Sequence, residues 1–596
     1  MIINIKTAEK VKIWGKTEII LQAEDEYDNP YKDVDVWVDL EGPNFKKRVY
    51  GFWDGENIFK IRITATKSGK WKWVSGSNKS DTGLNDNKGE FIAEEWNEKE
   101  KDENPCRRGF IRASENGHVL KYADGTPYFL LGDTWWSTPT YRFKWYDNDE
   151  KRPIGPKMGF KDMVKYRKKQ GYNSVAMIAA HPTWNNDEYP ENIVMDDEDG
   201  TIIRSAWNQP GTDSAKDMHN EGGRPFKFPG TVPGYEDVVP NFDRINPEYF
   251  QHMDKKIDYL NKQGFIPFIE IARRDVSQVW KKYYEWPESY VRYIQYIFSR
   301  YHANNCILSP IHFDLDKDSV SSKKYNEAIY KYIDNYGLPP FGNILSTNAH
   351  LTNLRNFGGP KENEWLSLYQ IGNWTREHDQ FWYLTEIYNH KPAKPGLNGE
   401  PYYPGCKLGW PHGNPPKDRK EDNLYCRSSM YGSVLSGGFA GHIYGAQGIW
   451  DSAVEEEADP KMWEALEWES GDQMQYLKKF ILSEGSKYQE LVPNSNWVYP
   501  NKTGDHIGFK GWAFCAGTQQ RDFFLFYFEK ECPDVIFRGS FPERKYKGWW
   551  FNPRIGEWEK IEGILTAHES TGLIELPSTP SDNDWGLKLL EIKNNE

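Results

Sequence analysis

The run Phe381-Trp382-Tyr383-Leu384-Thr385-Glu386-Ile387-Tyr388 decides how the chain is read. A short segment this rich in Trp, Tyr, Leu and Ile reads as a buried strand. In a parallel barrel, catalytic groups sit where strands end at the carboxyl face. A carboxylate at such a place is costly unless it is paired or used. Glu386 is therefore expected to be a catalytic nucleophile, and a salt bridge to a loop Lys or Arg is its structural alternative.

On both sides of that run, short apolar segments alternate with helical periodicity, the mark of βαβ units. Strands are expected at 128–133, 173–179, 265–271, 306–313, 341–346, 365–371, 381–387 and 441–444. Between them, Phe160, Met163 and Val164 share one helical face, and so do Phe250, Met253, Ile257 and Leu260. A Gly/Pro/Asp-rich insertion at roughly 181–243 has the length of a site loop or lid. Eight alternations predict an α/β fold, a (β/α)8 TIM barrel, over residues 105–490. Residues 1–98 alternate at period two between turn clusters and read as an antiparallel β-sandwich. Residues 495–596 return to β signals, with a strand at 523–528 and a hairpin at 549–558, and predict a second sandwich.

Composition narrows the function. The 596 residues carry 75 Lys plus Arg against 88 Asp plus Glu, a net charge of −13, which argues against a nucleic-acid or anionic-membrane partner. No stretch of about 18 apolar residues predicts a membrane span. The first residues show no basic region followed by an apolar core, so a cytoplasmic protein is expected. Six scattered Cys signal neither a metal site nor a disulfide framework, and no cofactor is expected. The 26 Trp fill cores or offer flat faces to sugar rings.

Acids at strand ends carry the chemistry. The fourth expected strand ends in His312-Phe313-Asp314-Leu315-Asp316, where both acids share a face with His312 at strand periodicity. Hydrolysis of a glycosidic bond needs one acid to protonate the departing oxygen. It needs a second carboxylate to attack the anomeric carbon or to activate water. Strands four and seven lie across the barrel mouth, so Asp314 or Asp316 can face Glu386 over a bound sugar. Helix capping is the alternative for either Asp. Asp133, Trp135, Trp136, His181, His312, His350, Gln370, Trp374, Tyr444 and Trp450 are expected around the mouth as substrate contacts. Glu270 and Arg273 lie near strand three, where an internal ion pair would account for both.

Four segments carry a family resemblance. Tyr128-Phe129-Leu130-Leu131-Gly132-Asp133-Thr134-Trp135-Trp136 resembles the first-strand signature of the apiosidase-like glycoside hydrolases, the family 140-like, clan-A-like barrels. The run from Gly437 to Trp450 resembles their eighth-strand segment. Gly51-Phe52-Trp53-Asp54-Gly55 is similar to the sandwich that often precedes that barrel, and Trp550-Phe551-Asn552-Pro553-Arg554 to a collagen-binding-type sandwich that follows it. The resemblance implies a strand-four Asp as acid/base and a strand-seven Glu as nucleophile, hence Asp314 and Glu386. The family's fourth strand ends close to Gly-Gly-Asp. Here Asp314 and Asp316 both answer to it, and Asp314 is preferred because it comes first after the apolar run.

The function expected is a retaining, exo-acting glycosidase for plant- or algal-type oligosaccharides, with a homo-oligomer allowed. A carbohydrate-binding or scaffold protein with an inactive barrel is the alternative. A metal-dependent hydrolase built on His312, Asp314 and Asp316 has no supporting His-x-His or His-Glu-x-x-His spacing.

Overall fold

The computed structural model describes residues 9–180, 194–196, 202–204, 218–234, 236, 239–274, 280–314, 320–359, 363–372, 377–406 and 415–593. His181, Asp316 and Trp374 lie outside the described residues.

At the N-terminal end, a five-stranded sheet in the order Glu9–Lys12, Lys88–Glu94, Gly69–Ser77, Val36–Gly42, Phe45–Tyr50 faces a three-stranded sheet. The second sheet has the order Thr17–Gln22, Ile58–Ile63, Phe52–Trp53. Val36, Val38 and Leu40 point inward at period two and pack with Phe59, Ile61, Ile63 and Trp71. Arg62 leaves this layer from the opposite face of its strand and enters the seam with the central region. There it bonds Asp254 on the helix Pro247–Lys262, at 2.5 and 3.0 Å.

The central region is barrel-like. Its parallel strands are Leu130–Thr134, Ser174–Ile178, Ile266–Glu270, Ile307–Ser309, Ile344–Leu345, Tyr369–Gly372, Gly396–Glu400 and Gly441–Tyr444. They are called strands one to eight below, and they pair in the order five-four-three-two-one-eight-seven-six. Strands five and six meet outside a regular ladder, through bonds that include Ser367 N to Leu345 O at 2.9 Å and Ser346 Oγ to Leu368 O at 2.9 Å. Leu130, Ala176, Ile178, Phe268, Ile307, Leu397 and Ile443 form one cluster enclosed by the strands. Leu131, Val175, Met177 and Tyr444 alternate with them and join the larger core under the helices.

The segment at 381–388 is not a strand. It lies in the helix Asp379–Asn389, between strands six and seven. Phe381, Leu384 and Ile387 are buried at helical spacing, whereas Trp382 is 66% exposed, so the apolar residues line one face and do not alternate. Strand seven is Gly396-Leu397-Asn398-Gly399-Glu400, a stretch without an apolar run. Its small residues are imposed by packing. A Cβ at Gly396 would sit 2.8 Å from the Ile387 side chain of the preceding helix, and one at Gly399 would overlap the Gln370 amide.

Beyond residue 490, a sheet built on Leu491–Pro493, Ala513–Thr518, Phe523–Phe528, Trp585–Glu591, Lys545–Asn552 and Glu557–Lys560 packs on two sides. Phe524, Phe526 and Phe528 face the small sheet Val498–Tyr499, Ile536–Phe537, Ile574–Glu575. Phe523, Leu525 and Tyr527 face the barrel helices, where Tyr527 stacks on Tyr431 at 4.8 Å. Covered on both faces, the strand needs six consecutive apolar residues. The expected hairpin forms, with Phe551 opposite Trp558.

Candidate active site

The carboxyl ends of strands three, four, five and seven converge on one buried cluster. Glu270 is the last residue of strand three and Glu400 the last of strand seven. Asp314 follows strand four by five residues, on a segment tied back by His312 N to Ala272 O at 2.8 Å and by Arg274 N to His312 O at 3.2 Å. Asn348 follows strand five.

Inside the cluster, His312 Nδ1 lies 2.5 Å from Glu270 Oε2, and Asn348 N donates to Glu270 Oε1 at 3.0 Å. His312 Nε2 faces Asp314 Oδ1 at 3.5 Å. Arg274 also bonds Asp314 Oδ1, and Arg273 reaches Oδ2 at 3.5 Å. Glu400 accepts from Asn348 Nδ2 at 3.3 Å and from the Tyr403 hydroxyl at 3.4 Å. A ligand atom from each of His312, Asp314 and Glu400 lies within 4.8 Å of the others. That spacing could admit a cation, but the two guanidinium groups on Asp314 and the charged ring of His312 oppose one, and no metal is assigned.

Charge separates the two acids. Burial pushes the Glu400 carboxyl up to about 7, with the negative charges of Asp314 and Glu270 adding to the effect and His312 opposing it. Burial would also raise Asp314, but Arg274, His312 and Arg273 outweigh it and hold that carboxyl well below its ordinary range. Burial would neutralise His312, yet Glu270 and Asp314 raise it to about 10. Two carboxyl groups pushed apart by their surroundings are what acid/base chemistry requires.

Other expected site residues fall in three places. Trp136 and Trp450 are at the mouth. Trp136 meets the His312 ring edge-on at 4.5 Å, and Trp450 lies along Tyr403 at 6.5 Å. Asp133, Trp135 and Tyr444 are on the outer side of strands one and eight, and the expectation of substrate contact is corrected for all three. Asp133 is fully buried, bonded to Arg167 Nε at 2.6 Å and to Trp135 Nε1 at 2.9 Å. Trp135 packs on Phe143 and Phe160, and the Tyr444 hydroxyl meets Ser470 Oγ at 2.9 Å. Strand alternation explains the split, since Thr134 and Trp136 point inward where Asp133 and Trp135 cannot. Gln370 is buried inside the barrel, donating to Ser346 Oγ at 2.9 Å and pressed against Gly399. His350 is half-buried on the loop beyond strand five.

Glu386 is corrected most sharply. It sits on the outward helix, 41% exposed at its side chain, paired with Arg355 at 3.4 Å. Glu400, Asn348, Tyr403 and Arg274 were not expected. A carboxylate directly before Pro401 and the pair Tyr402-Tyr403 was the available signal for Glu400, but the strand carrying it has no hydrophobic pattern.

An acid beyond strand four and a Glu ending strand seven thus meet at one end of a barrel-like sheet, and the family to which the chain belongs makes the protein a glycoside hydrolase. Residues 114–487 match the apiosidase-like catalytic domain family, and the chain belongs to that family. Residues 10–78 match a domain of unknown function, DUF5060. Among solved structures, a candidate glycoside hydrolase from Bacteroides vulgatus ATCC 8482 is similar over 98% of this chain and 100% of its own, at 17% identity and TM-score 0.64. A glycoside hydrolase family 5 structure from the same organism is similar over 82% of this chain and 94% of its own, at 20% identity and TM-score 0.56. Another structure described as a glycoside hydrolase covers 82% of this chain and 98% of its own, at 19% identity and TM-score 0.56. At these identities the likeness concerns the fold. No curated protein matches the chain. Among the described residues, no helix is long and apolar enough to cross a membrane.

Proposed function

We propose that the protein is a retaining glycosidase in which Glu400 is the nucleophile and Asp314 the acid/base. The supporting observation is the approach of one Asp314 oxygen and one Glu400 oxygen to within 4.8 Å. Retaining enzymes hold their two carboxyl groups about 5–5.5 Å apart, whereas inverting enzymes leave about 6.5–9.5 Å for a water. The pair shares one proton near neutrality. In the free enzyme Glu400 holds it, and a sugar bound over the pair must leave it on Asp314. Asp314 then gives the proton to the glycosidic oxygen while Glu400 attacks the anomeric carbon, forming a glycosyl ester and releasing the leaving group. Asp314 next takes a proton from water, whose oxygen displaces Glu400 and frees the sugar. Trp136 and Trp450 supply apolar walls beside the pair.

We further assign a (β/α)8 barrel to residues 105–490, between sandwich domains at 1–98 and 495–596. The substrate class is an oligosaccharide of plant or algal type, cut from one end, in the cytoplasm. A Glu400→Gln variant should release less than one thousandth of the wild-type reducing sugar from the true substrate, a loss on the scale of a missing catalytic group. Turnover near wild type would overturn the assignment. One observation favours exchanged roles: cations surround Asp314, whereas the donors that touch Glu400 among the described residues are neutral. With the roles exchanged, Asp314 would attack and Glu400 protonate, and the covalent label described at the end of the Discussion separates the two.

A further inference from the structure

We propose that His312 is a positioning residue, a fixed cation held by Glu270 that sets the pH window in which Asp314 and Glu400 share one proton. The proposal rests on the assignment of that acid pair. His312 was expected to contact sugar, but neither ring nitrogen is available for one. The ring is 2% exposed, with Nδ1 against Glu270 at 2.5 Å and Nε2 against Asp314 at 3.5 Å. A neutral imidazole has one N–H and one lone pair. Set between two carboxylates, it would turn that lone pair onto a negative charge. Protonation at both nitrogens removes the conflict, and it agrees with a ring raised to about 10.

The surroundings are built for this state. Glu270 ends strand three at 0% exposure, and its second oxygen is occupied by the Asn348 backbone N–H at 3.0 Å. The groups facing the ring are Glu270 from strand three, Asp314 from its own segment, Asn348 from beyond strand five and Glu400 from strand seven. Trp136 covers one edge, and Arg273 and Arg274 approach from behind Asp314.

The consequence has a definite sign. A cation beside two carboxyl groups favours the ionised form of each, and His312 lowers both Asp314 and Glu400. Replacing it with a neutral side chain must raise both. The two limbs of the pH profile belong to the pair as a whole, so they move in the same direction whichever acid attacks.

The test is the pH profile of kcat/KM for wild type, His312→Gln and Glu400→Gln on one substrate. Glutamine keeps a hydrogen bond to Glu270 without the charge. The expected result for His312→Gln is a shift of both limbs to higher pH by about one unit or more. A lowered maximum with unmoved limbs would make His312 a packing residue and overturn the proposal. Glu400→Gln separates the two levels. Retained wild-type turnover would remove the acid pair itself, whereas an inactive Glu400→Gln with unmoved limbs in His312→Gln would overturn the proposal alone. If His312→Gln fails to fold, 13C-histidine NMR of the wild type and of Glu270→Gln decides. A ring that remains imidazolium at pH 8 in the wild type, and loses its proton at lower pH in Glu270→Gln, supports the proposal. A neutral ring at pH 7 in the wild type overturns it.

Discussion

Two clusters of buried charge use the same residue types to opposite ends. Where the N-terminal sheets meet the central region, Lys60, Arg62 and Arg300 face Glu18, Asp54 and Asp254. Each acid there touches a cation, and Asp254 is bonded by two guanidinium groups. At the mouth, three cationic groups converge on Asp314 while Glu400, among the described residues, meets an amide and a hydroxyl. Every acid of the first cluster is matched by a cation, so the cluster serves as a fastening between layers. Mismatch splits two carboxyl groups in the second, and a split pair can exchange a proton with a substrate.

The largest expected contrast is catalytic. Glu400→Gln should lower kcat/KM by about 10³-fold or more while leaving the midpoint of urea unfolding nearly unchanged. Arg62→Ala should do the reverse. It leaves Asp254 buried and undercompensated, which costs about 3–5 kcal/mol, read as a lower urea midpoint with kcat/KM of the folded fraction preserved. Asp133→Asn, which strands the buried Arg167, belongs with Arg62→Ala and should leave KM unchanged; a large rise in KM would restore Asp133 to the substrate site.

A smaller effect separates the clusters by pH. Arg300 and Arg62 outweigh burial and hold the Asp254 carboxyl far below its unfolded value. A depressed carboxyl contributes stability that is present above its unfolded value and lost as the pH falls through the folded one. Unfolding free energy should therefore decline below about pH 4, and Arg62→Ala should make that decline shallower. The smallest effect is expected at the exposed pair with Arg355: Glu386→Gln should leave both stability and turnover within about twofold.

Much of the barrel was legible because its strands at 130–134, 174–178 and 266–270 are covered on both sides and must be apolar. The strand at 523–528 was legible for the same reason. Strand seven was hidden because its environment selects for smallness, with Ile387 over Gly396 and Gln370 over Gly399. The helix at 379–389 took its place in the reading, since a short helix that shows aromatic residues to several neighbours carries a run as dense as a strand. Phe381 touches Phe514, and Tyr383 lies under Arg355. Asp314 was singled out because it follows an apolar run. Glu400, its proposed partner at the end of strand seven, was not, because position in a barrel depends on which residues pair and not on local composition. Asp133 and Trp135 were placed on the wrong face, since adjacent residues of one strand point oppositely and the sequence does not fix which parity faces in.

The central claim is that Glu400 forms the bond to the sugar. Its most direct test is to inactivate the enzyme with an activated 2-fluoro glycoside of the sugar it releases, digest it and locate the added mass. The proposed assignment places the label on Glu400, in the peptide that contains Gly396 to Glu400. A label on Asp314 would exchange the roles of the pair, and a label on Glu386 or on any residue outside the mouth would contradict the assignment.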